Sequence, residues 1–529
     1  MQFGFSLLYL LLLDLTSGCK FLAYSPQFAI SHVNFIAKIS DTLVEAGHEV
    51  VIVAPRIHPD IRRALAKKAR VIELPENEHS RAWHEGEKMA MDLAWNNTML
   101  ELMVKGAWSG GFSVVSHMLK AANATVHHPG LIEQLRTEQF DAAFSENLVG
   151  FGIFHLAGIS RTALAVSFAN FESCYHLTQM PSDPSYVPSI FSSSGARMSF
   201  RERVSNTLSS FAFGLMFGYG AHLFQPIFDE LTPGEKLQDM VADNSLVLLN
   251  SEPLLDFPRP SVHRVIEIGG IAVAMEAEPL TEYWSEVLNR RKRTVILSFG
   301  TYVRASRMPE IYKATIRNVM SKFDDVTFIW KYEVPEHNVS QGIENIVETT
   351  WLPQISLLND DRLTAFITHG GQGSTLEAAY AGKPMLMMPT QGDQHRNSAM
   401  IKRAGFGELI QLSDLGEEDQ LERAVRDILE NQEYANNAKR VASMLKNKPF
   451  SAKQKLVRNM EFLACYGPLR MLDHEGRNLN FIQYFLIDVF LFLSGATAAV
   501  ISLIGICCIA SCRWCSRKLS RKYDELKQD

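Results

Sequence analysis

The sequence predicts an α/β protein with two Rossmann-like lobes, because short apolar strands alternate with amphipathic helices in both halves of the chain. Near its start, two apolar strands, Lys20–Ser25 and Val50–Pro55, enclose a segment with apolar residues at helical spacing. In the second half, a strand over Thr364–Thr368 enters a glycine-rich turn and then a helix. At 529 residues the chain is long enough for two or three domains.

The first strand–helix–strand unit carries a histidine where its helix begins. Ser31 is predicted to cap this helix and Gly47 to stop it. The unit has no G-x-G-x-x-G motif, so the first lobe is not predicted to bind NAD. His32 follows the first strand, and the positive end of the helix dipole disfavours an imidazolium there. We therefore expect a neutral His32 that accepts a proton.

The stretch from Trp351 to Gln394 gathers the residue types of a nucleotide-sugar site. Trp351 offers a ring for stacking, and His369 stands at the end of the Thr364–Thr368 strand, where open α/β sheets bind ligands. The turn at 370–373 leaves backbone N–H groups at a helix N-terminus, where phosphate oxygens bind. Taken singly, the tryptophan is more often a core anchor and the glycines an ordinary turn, so the spacing of the whole set carries the prediction.

This stretch resembles the donor-binding signature of the UDP-dependent glycosyltransferases, the group that includes the animal UDP-glucuronosyltransferases. The residues that match its spacing are Trp351, Gln354, His369, Ser374, Glu377, Asp393 and Gln394. The resemblance implies the GT-B architecture, in which two Rossmann-like lobes face a cleft. One departure is that many members carry Trp and Asn where this chain has Gln372 and Gly373.

The resemblance also implies a role for each matching residue. Trp351 would stack on uracil, while Gln354 and Glu377 would bond the ribose. His369, Ser374 and the backbone cradle at Gly371 would hold the diphosphate. Asp393 and Gln394 would bind the sugar hydroxyls. The turn from Ser298 to Thr301 is expected to face the same cleft.

A carboxylate is expected to orient His32. In the family an aspartate hydrogen-bonds the catalytic histidine, and this chain has Glu146 at that position, at the end of a predicted strand Asp141–Ser145. Glutamate keeps the charge but adds a methylene, so it must reach the histidine from farther back. Asp141, at the other end of the strand, is the less favoured partner.

The two ends of the chain predict a membrane-anchored protein of the secretory pathway. Residues 1–18 resemble a signal peptide with cleavage near Gly18 or Cys19. Val489–Cys512 is a run of 24 uncharged residues, about 36 Å as a helix, and it exceeds the ~30 Å hydrocarbon core of a bilayer. The positive-inside rule predicts that the basic tail after this run lies in the cytosol. With the resemblance, this predicts a single-pass type I protein of the endoplasmic reticulum with a lumenal catalytic body.

The predicted domains are an acceptor-binding lobe at 19–275, a UDP-sugar-binding lobe at 276–470, a transmembrane helix at 485–512 and a basic tail at 513–529. Asn96, Asn123 and Asn338 begin glycosylation sequons. The cysteines and histidines show no metal-ligand spacing, so no metal and no cofactor beyond the UDP-sugar co-substrate is expected. The formal net charge of −6 argues against a nucleic-acid partner.

We therefore predict an inverting transferase that moves glucuronic acid from UDP-glucuronate to a hydroxyl of a small apolar acceptor. Arg304, His395 and Arg396 flank the expected site, and one of them would bind the glucuronate carboxylate. UDP-glucose is the alternative donor. The alternative from another class is a non-catalytic, membrane-anchored binding protein of the same fold. Homo-oligomerisation is compatible with each of these.

Overall fold

A computed structural model of the chain describes residues 18–58, 61, 65–75, 95, 112–169, 179–190, 192, 194–274, 277–301, 303–525 and 527. One compact unit ends at Leu472, and a second unit begins at Asp473. Both parallel sheets lie in the first unit. The predicted signal peptide, except for Gly18, and the sequon residue Asn96 lie outside the described residues.

The first sheet of the described chain has seven parallel strands in the order β3-β2-β1-β4-β5-β6-β7. They are β1 Lys20–Tyr24, β2 Glu49–Pro55, β3 Arg70–Leu74, β4 Ala142–Ser145, β5 Thr162–Val166, β6 Leu246–Leu249 and β7 Val265–Glu267. The helices of this half are Ile30–Glu45, Phe112–Val126, Leu131–Thr137, Leu148–Leu156, Phe200–Phe224 and Leu237–Ala242. Alternate side chains of β1 enter two different cores, as expected of a strand covered on both faces.

The second sheet has six parallel strands among the described residues, in the order β10-β9-β8-β11-β12-β13. They are β8 Arg293–Ser298, β9 Val326–Lys331, β10 Ile346–Thr349, β11 Leu363–Thr368, β12 Met385–Met387 and β13 Gly407–Leu409. Its helices are Glu282–Leu288, Glu310–Ser321, Gln354–Leu358, Gln372–Ala381, Gln394–Ala404, Glu418–Glu430, Gln432–Lys446 and Ala452–Tyr466. The order of strands reverses direction beside β8 and β11, and this reversal point is where such sheets bind ligands.

The last helix of the compact unit, Ala452–Tyr466, returns to the first sheet. Its Leu456, Met460 and Leu463 are buried in the same core as Phe21 of β1 and Phe144 of β4. A chain segment that follows the second sheet therefore covers one face of the first sheet, and the two lobes share this core.

Buried charges also join the two lobes. Arg396, on the helix Gln394–Ala404, lies 2.6 Å from Asp256 in the loop after β6. Burial by itself would raise the pKa of Asp256, but the charges of Arg396 and Arg259 lower it to about 2. Lys448 lies 2.5 Å from Glu252 of the same loop. These pairs fix the β6–β7 loop against the second lobe.

One predicted cap is wrong. Ala29 occupies the N-cap position in an extended conformation and makes no side-chain cap bond, so the helix begins at Ile30 and Ser31 is its second residue. A residue already inside the helix cannot adopt the N-cap geometry, in which a side chain accepts from the first turn. The predicted stop at Gly47 is confirmed, because Gly47 follows the C-cap with φ 95°.

The second unit contains a short helix, Phe481–Tyr484, and a long one, Ile487–Glu525. By length and composition the long helix could cross a membrane over Ile487–Asp524. The helix does not stop at residue 512, where the sequence predicts the span to end, but continues through most of the predicted tail. Basic residues that follow an apolar helix are themselves good helix formers, so nothing in that stretch breaks the helix.

Candidate active site

His32 lies in the first turn of the helix after β1 and contacts Glu146, the residue after β4. The Nδ1 atom of His32 is 2.9 Å from the Oε2 atom of Glu146, and the two side chains are 20% and 15% exposed. Because β1 and β4 are adjacent parallel strands, the residues that follow them meet at one edge of the sheet. Asp141, at the opposite end of β4, accepts a hydrogen bond from the backbone N–H of Lys20 and is not the partner of His32.

Ser167, which follows β5, holds this pair from a third strand. Its backbone N–H donates to the Oε1 atom of Glu146 over 2.8 Å, and its Oγ atom is 3.1 Å from Nδ1 of His32. The rings of Phe28 and Phe168 lie 4.8 and 5.3 Å from the imidazole centroid. The longer glutamate side chain is thus fixed at both of its oxygens, which answers how it reaches the histidine.

The pKa values of the pair move in opposite directions. Burial lowers the pKa of His32, but the charge and hydrogen bond of Glu146, helped by the charge of Asp393, outweigh burial and raise it. Burial raises the pKa of Glu146, but His32 and the Ser167 bonds outweigh it and lower the value. The helix dipole alone would lower the pKa of His32, but the carboxylate at 2.9 Å outweighs the partial charges at the helix end and the pKa is raised instead. An ionised Glu146 accepts a hydrogen bond from Nδ1–H of His32 and leaves Nε2 as the proton-accepting atom.

In the second lobe, His369 follows β11 and is packed between two glycines. A Cβ atom added to Gly300 would lie 2.7 Å from Cε1 of His369, and one added to Gly371 would lie 2.6 Å from its Nε2 atom. Both positions therefore require glycine for the imidazole to sit at the start of the helix Gln372–Ala381. Gly371 is the N-cap of this helix and makes no side-chain cap bond. The first backbone N–H groups of the helix point to this place.

A cation that the sequence analysis missed lies beside His369. Lys331, the last residue of β9, donates from its Nζ atom to the carbonyl oxygen of Gly300. Burial, followed by the charge of Lys331, lowers the pKa of His369 to about 4. His369 is therefore neutral near pH 7, and Lys331 supplies positive charge next to it. The sequence feature that could have identified Lys331 is its position at the carboxyl end of a buried strand.

The residues predicted to bind the nucleoside form a connected group. The Nε2 atom of Gln354 donates to Glu377 over 2.7 Å and to Ser374 over 3.1 Å. Burial raises the pKa of Glu377, although the Gln354 bond opposes this. Trp351 is 70% exposed, so it is not the core anchor that a single tryptophan before Leu-Pro usually is. Its neighbour Leu352 is the buried residue.

Asp393 and Gln394 follow β12 and begin the next helix. The Nδ2 atom of Asn397 donates to Asp393 over 2.8 Å and to the carbonyl oxygen of Gly370 over 3.0 Å. The side-chain oxygen of Gln394 accepts from Thr390 and Gln391, so it shapes its own loop. Burial raises the pKa of Asp393, and its charge interacts with that of His32. The acidic residue of the second lobe is therefore electrostatically coupled to the imidazole of the first.

A hydrogen-bonded path joins the donor cradle to the His32–Glu146 pair. Gln372, in the first turn after Gly371, donates from Nε2 to the carbonyl oxygen of Asn250 over 2.8 Å. Asn250 donates from Nδ2 to the carbonyl oxygen of Ser167 over 2.9 Å. Ser167 in turn bonds Glu146. The position where this chain departs from many relatives thus contacts the first lobe.

Other predicted positions have simpler surroundings. Ser298 is buried, and its Oγ atom accepts from the backbone N–H of Gly300 over 3.3 Å, so it stabilises the turn that ends at the exposed Thr301. The sequon residues Asn123 and Asn338 are both exposed. No group of three or more possible metal ligands occurs within the described residues.

Two of the three residues predicted to bind the glucuronate carboxylate are unsuitable for that role. Arg396 is 1% exposed, pairs with Asp256 and donates to the carbonyl oxygen of Pro188, so it is a lobe-joining residue. Burial lowers the pKa of His395 to about 4, and its imidazole is uncharged near pH 7. Arg304 is the candidate that remains for binding the carboxylate. Burial lowers the pKa of Lys331, and the charge of Arg304 lowers it further.

The chain matches known transferases over nearly its whole length. Residues 20–522 match the family described as UDP-glucoronosyl and UDP-glucosyl transferase. Mouse UDP-glucuronosyltransferase 1A1 is 27% identical over 496 residues, which cover 92% of this chain and 90% of that protein. A Caenorhabditis elegans protein, ugt-48, provisionally named a UDP-glucuronosyltransferase, is 26% identical over 512 residues, 91% of this chain and 93% of its own.

Solved glycosyltransferases share the two-lobed fold at low identity. Os79 from O. sativa, in complex with U2F and trichothecene, aligns with a TM-score of 0.55 at 17% identity and covers 85% of this chain and all of its own. Phytolacca americana UGT2, complexed with UDP-2fluoro-glucose and pterostilbene, aligns with a TM-score of 0.54 at 14% identity, again over 85% of this chain. The predicted GT-B architecture is confirmed, and the chain belongs to the UDP-glucuronosyl and UDP-glucosyl transferase family.

Proposed function

We propose that the protein transfers a hexuronic acid or hexose from its UDP conjugate to a hydroxyl of a small apolar acceptor, with inversion at the anomeric carbon. The observation that carries the proposal is the contact between His32 and Glu146 at a cleft edge that also holds Asp393. The anchoring of the body to a membrane by the helix Ile487–Glu525, with the body in the lumen of the endoplasmic reticulum, is part of the proposal.

In the proposed reaction, Nε2 of His32 takes the proton of the acceptor hydroxyl as its oxygen attacks the anomeric carbon. Glu146 accepts a hydrogen bond from Nδ1–H of His32 and stabilises the imidazolium that forms. The bond from the anomeric carbon to the phosphate oxygen breaks on the opposite face. UDP leaves with its charge toward the neutral His369, Lys331 and the N-terminus of the helix Gln372–Ala381.

The remaining donor contacts follow the motif. We propose that Trp351 stacks on the uracil, that Gln354 and Glu377 bond the ribose, and that Ser374 contributes to the diphosphate site. Asp393 and Gln394 would bind the sugar hydroxyls, Asp393 through its carboxylate and Gln394 through its amide nitrogen, because its oxygen is used within the loop.

UDP-glucuronate is the donor we propose first, because the named relatives are UDP-glucuronosyltransferases. Arg304 would then bind the carboxylate of the glucuronate. UDP-glucose is a second candidate, and the burial of Arg396 against Asp256 favours it, since a neutral sugar needs no free cation.

The test is release of UDP from full-length protein in membranes, with each donor offered beside a panel of apolar alcohols and phenols. We expect acceptor-dependent release that His32→Ala lowers by a factor on the order of 10²–10⁴, and a preference for UDP-glucuronate that Arg304→Ala removes. A non-catalytic binding protein would release no UDP with any acceptor. A preference for UDP-glucose that Arg304→Ala leaves unchanged would assign the second donor.

A further inference from the structure

Two cysteines of the compact unit lie side by side where its first strand meets its last helix. Cys19 directly precedes β1, and Cys465 lies near the end of the helix Ala452–Tyr466. The backbone N–H of Cys19 donates to Nδ1 of His48 over 3.1 Å, and Nε2 of His48 lies 3.3 Å from Oε1 of Glu461. Glu461 precedes Cys465 by four residues, so both lie on the same face of the helix. That face is therefore turned toward Cys19.

The His48–Glu461 contact brings the end of the helix beside Cys19, and the Cys465 thiol is close enough to help raise the pKa of the Cys19 thiol. Cys19 is partly buried and packs against the core that contains Leu463, whereas Cys465 is exposed. In the structure both are free thiols. Nothing in the proposed transfer reaction uses either of them.

We propose that Cys19 and Cys465 form a disulfide bond in the mature protein. The inference goes beyond the proposed function and depends on the proposed secretory location, since disulfides persist in oxidising compartments. It also requires signal-peptide cleavage on the amino-terminal side of Cys19.

The order of reaction follows from the surroundings of the two thiols. Burial, then the charge of Cys465, raises the pKa of the Cys19 thiol to about 11. The exposed Cys465 therefore attacks first, on the disulfide of a thiol oxidoreductase of the secretory pathway, and forms a mixed disulfide. Cys19 then attacks the Cys465 sulfur and releases the oxidoreductase as a dithiol, which carries away both electrons and both protons.

This bond would connect the start of the first lobe to the helix that returns from the second. The closed loop contains almost the whole compact unit, and constraining a long loop removes much conformational freedom from the unfolded chain. The helix Ala452–Tyr466 already shares a core with Phe21 of β1. A covalent bond at its end would keep it on the first sheet.

The experiment starts from the full chain expressed in a cell with a secretory pathway. Free thiols are blocked with N-ethylmaleimide without reductant, and the digest is analysed by mass spectrometry. We expect a peptide pair joined through Cys19 and Cys465, and a mature amino terminus that includes Cys19. In thermal unfolding, Cys19→Ser and Cys465→Ser should each lower Tm by about 2–6 °C, and the double variant should lower it no further.

The matched control is Cys515→Ser, an exposed cysteine of the helix Ile487–Glu525, which should leave Tm and the linked peptide unchanged. Both thiols alkylated without reductant, a mature chain that begins after Cys19, or a link to Cys174 would each overturn the proposal. Oxidation of the purified, reduced chain with oxidised dithiothreitol tells whether geometry or compartment is at fault. Because the readout is covalent, it does not depend on transferase activity.

Discussion

His32 and His369 lie at the carboxyl edges of two similar parallel sheets, yet their surroundings shift their pKa values in opposite directions. His32 contacts the carboxylate of Glu146, which raises its pKa. His369 is buried near the charge of Lys331, and its pKa falls to about 4. The comparison teaches that the partner of an imidazole, more than its place in the fold, decides what it can do. One histidine is suited to hold a proton briefly, and the other to donate a hydrogen bond without carrying charge.

The largest effect is expected from the first histidine. His32→Ala should lower turnover by a factor on the order of 10²–10⁴, the usual contribution of a general base. The affinity for UDP, measured by calorimetry, should stay unchanged, because UDP binding is proposed for the second lobe. His155→Ala, at an exposed position of the helix Leu148–Leu156, is the matched control. Unchanged turnover in His32→Ala would remove the base assignment.

Removal of the Glu146 charge should change the pH dependence of the reaction. The raised pKa of His32 means that its proton is lost only above the ordinary value of about 6.5, so kcat/KM should fall as pH drops through that range. Glu146→Gln should move this acidic limb to lower pH and lower the maximal rate by a factor on the order of 10²–10⁴. Glu146→Asp, which keeps the charge, should retain the wild-type limb. A limb that does not move in Glu146→Gln would contradict the pairing.

The cation of the second lobe should act on the donor. Lys331→Met should raise the KM for the UDP-sugar by about 10-fold or more, since a charged hydrogen bond to phosphate is worth roughly 1.5–3 kcal/mol. Lys331→Arg should restore most of the affinity. Lys322→Met removes an exposed lysine and should leave KM unchanged. If Lys331→Met alters only stability, then the lysine supports the Gly300 turn and does not bind phosphate.

The exposed ring of Trp351 should contribute affinity without stability. Stacking on a base is worth about 1–3 kcal/mol, so Trp351→Ala should weaken UDP binding by roughly 10-fold. Trp351→Phe should keep most of it. The free energy of unfolding should hardly change, because the side chain is 70% exposed. A strong loss of stability in Trp351→Ala would return the residue to the role of a core anchor.

The smallest effect concerns stability and a histidine outside the proposed chemistry. Burial lowers the pKa of His395 to about 4, so the unfolded chain binds its proton at a higher pH than the folded chain does. The contribution of His395 to the free energy of unfolding is complete above about pH 6.5 and is lost as pH falls toward 4. His395→Gln should therefore reduce the loss of stability between pH 6.5 and 5 by at most about 1.5 kcal/mol, measured by urea unfolding at both pH values.

Much of the fold can be read from the sequence because strand and helix periodicities are local. The predicted strand Thr364–Thr368 ends at the same residue in the structure and begins one residue earlier, at Leu363. The predicted strand Asp141–Ser145 also ends as predicted, and in the structure it begins at Ala142. The alternation of strands and helices also implies parallel sheets, and parallel sheets bring the residues after their strands to one edge. For this reason the motif residues of the second lobe lie together.

The rest depends on contacts between distant segments, which no local pattern encodes. Ser167 and Asn250 are ordinary residues in the sequence, and only the adjacency of β4, β5 and β6 brings Ser167 to Glu146 and Asn250 to Ser167. Arg396 lies two residues from Gln394 but turns to Asp256, far away in the chain. The sequence therefore indicates which element carries a side chain, but the partner of that side chain depends on how distant segments pack.

The buried pairs Arg396–Asp256 and Lys448–Glu252 restrict how this protein can be recombined with its relatives. A chimera cut between the two sheets would part each charge from its mate and leave it buried and uncompensated, which typically costs 3–5 kcal/mol per pair. Viable hybrids should therefore transfer the loop at 250–259 together with the second lobe, and keep the helix Ala452–Tyr466 with the first. The position at which lobes can be exchanged between this protein and its relatives is thus set by these ion pairs and not by the end of a sheet.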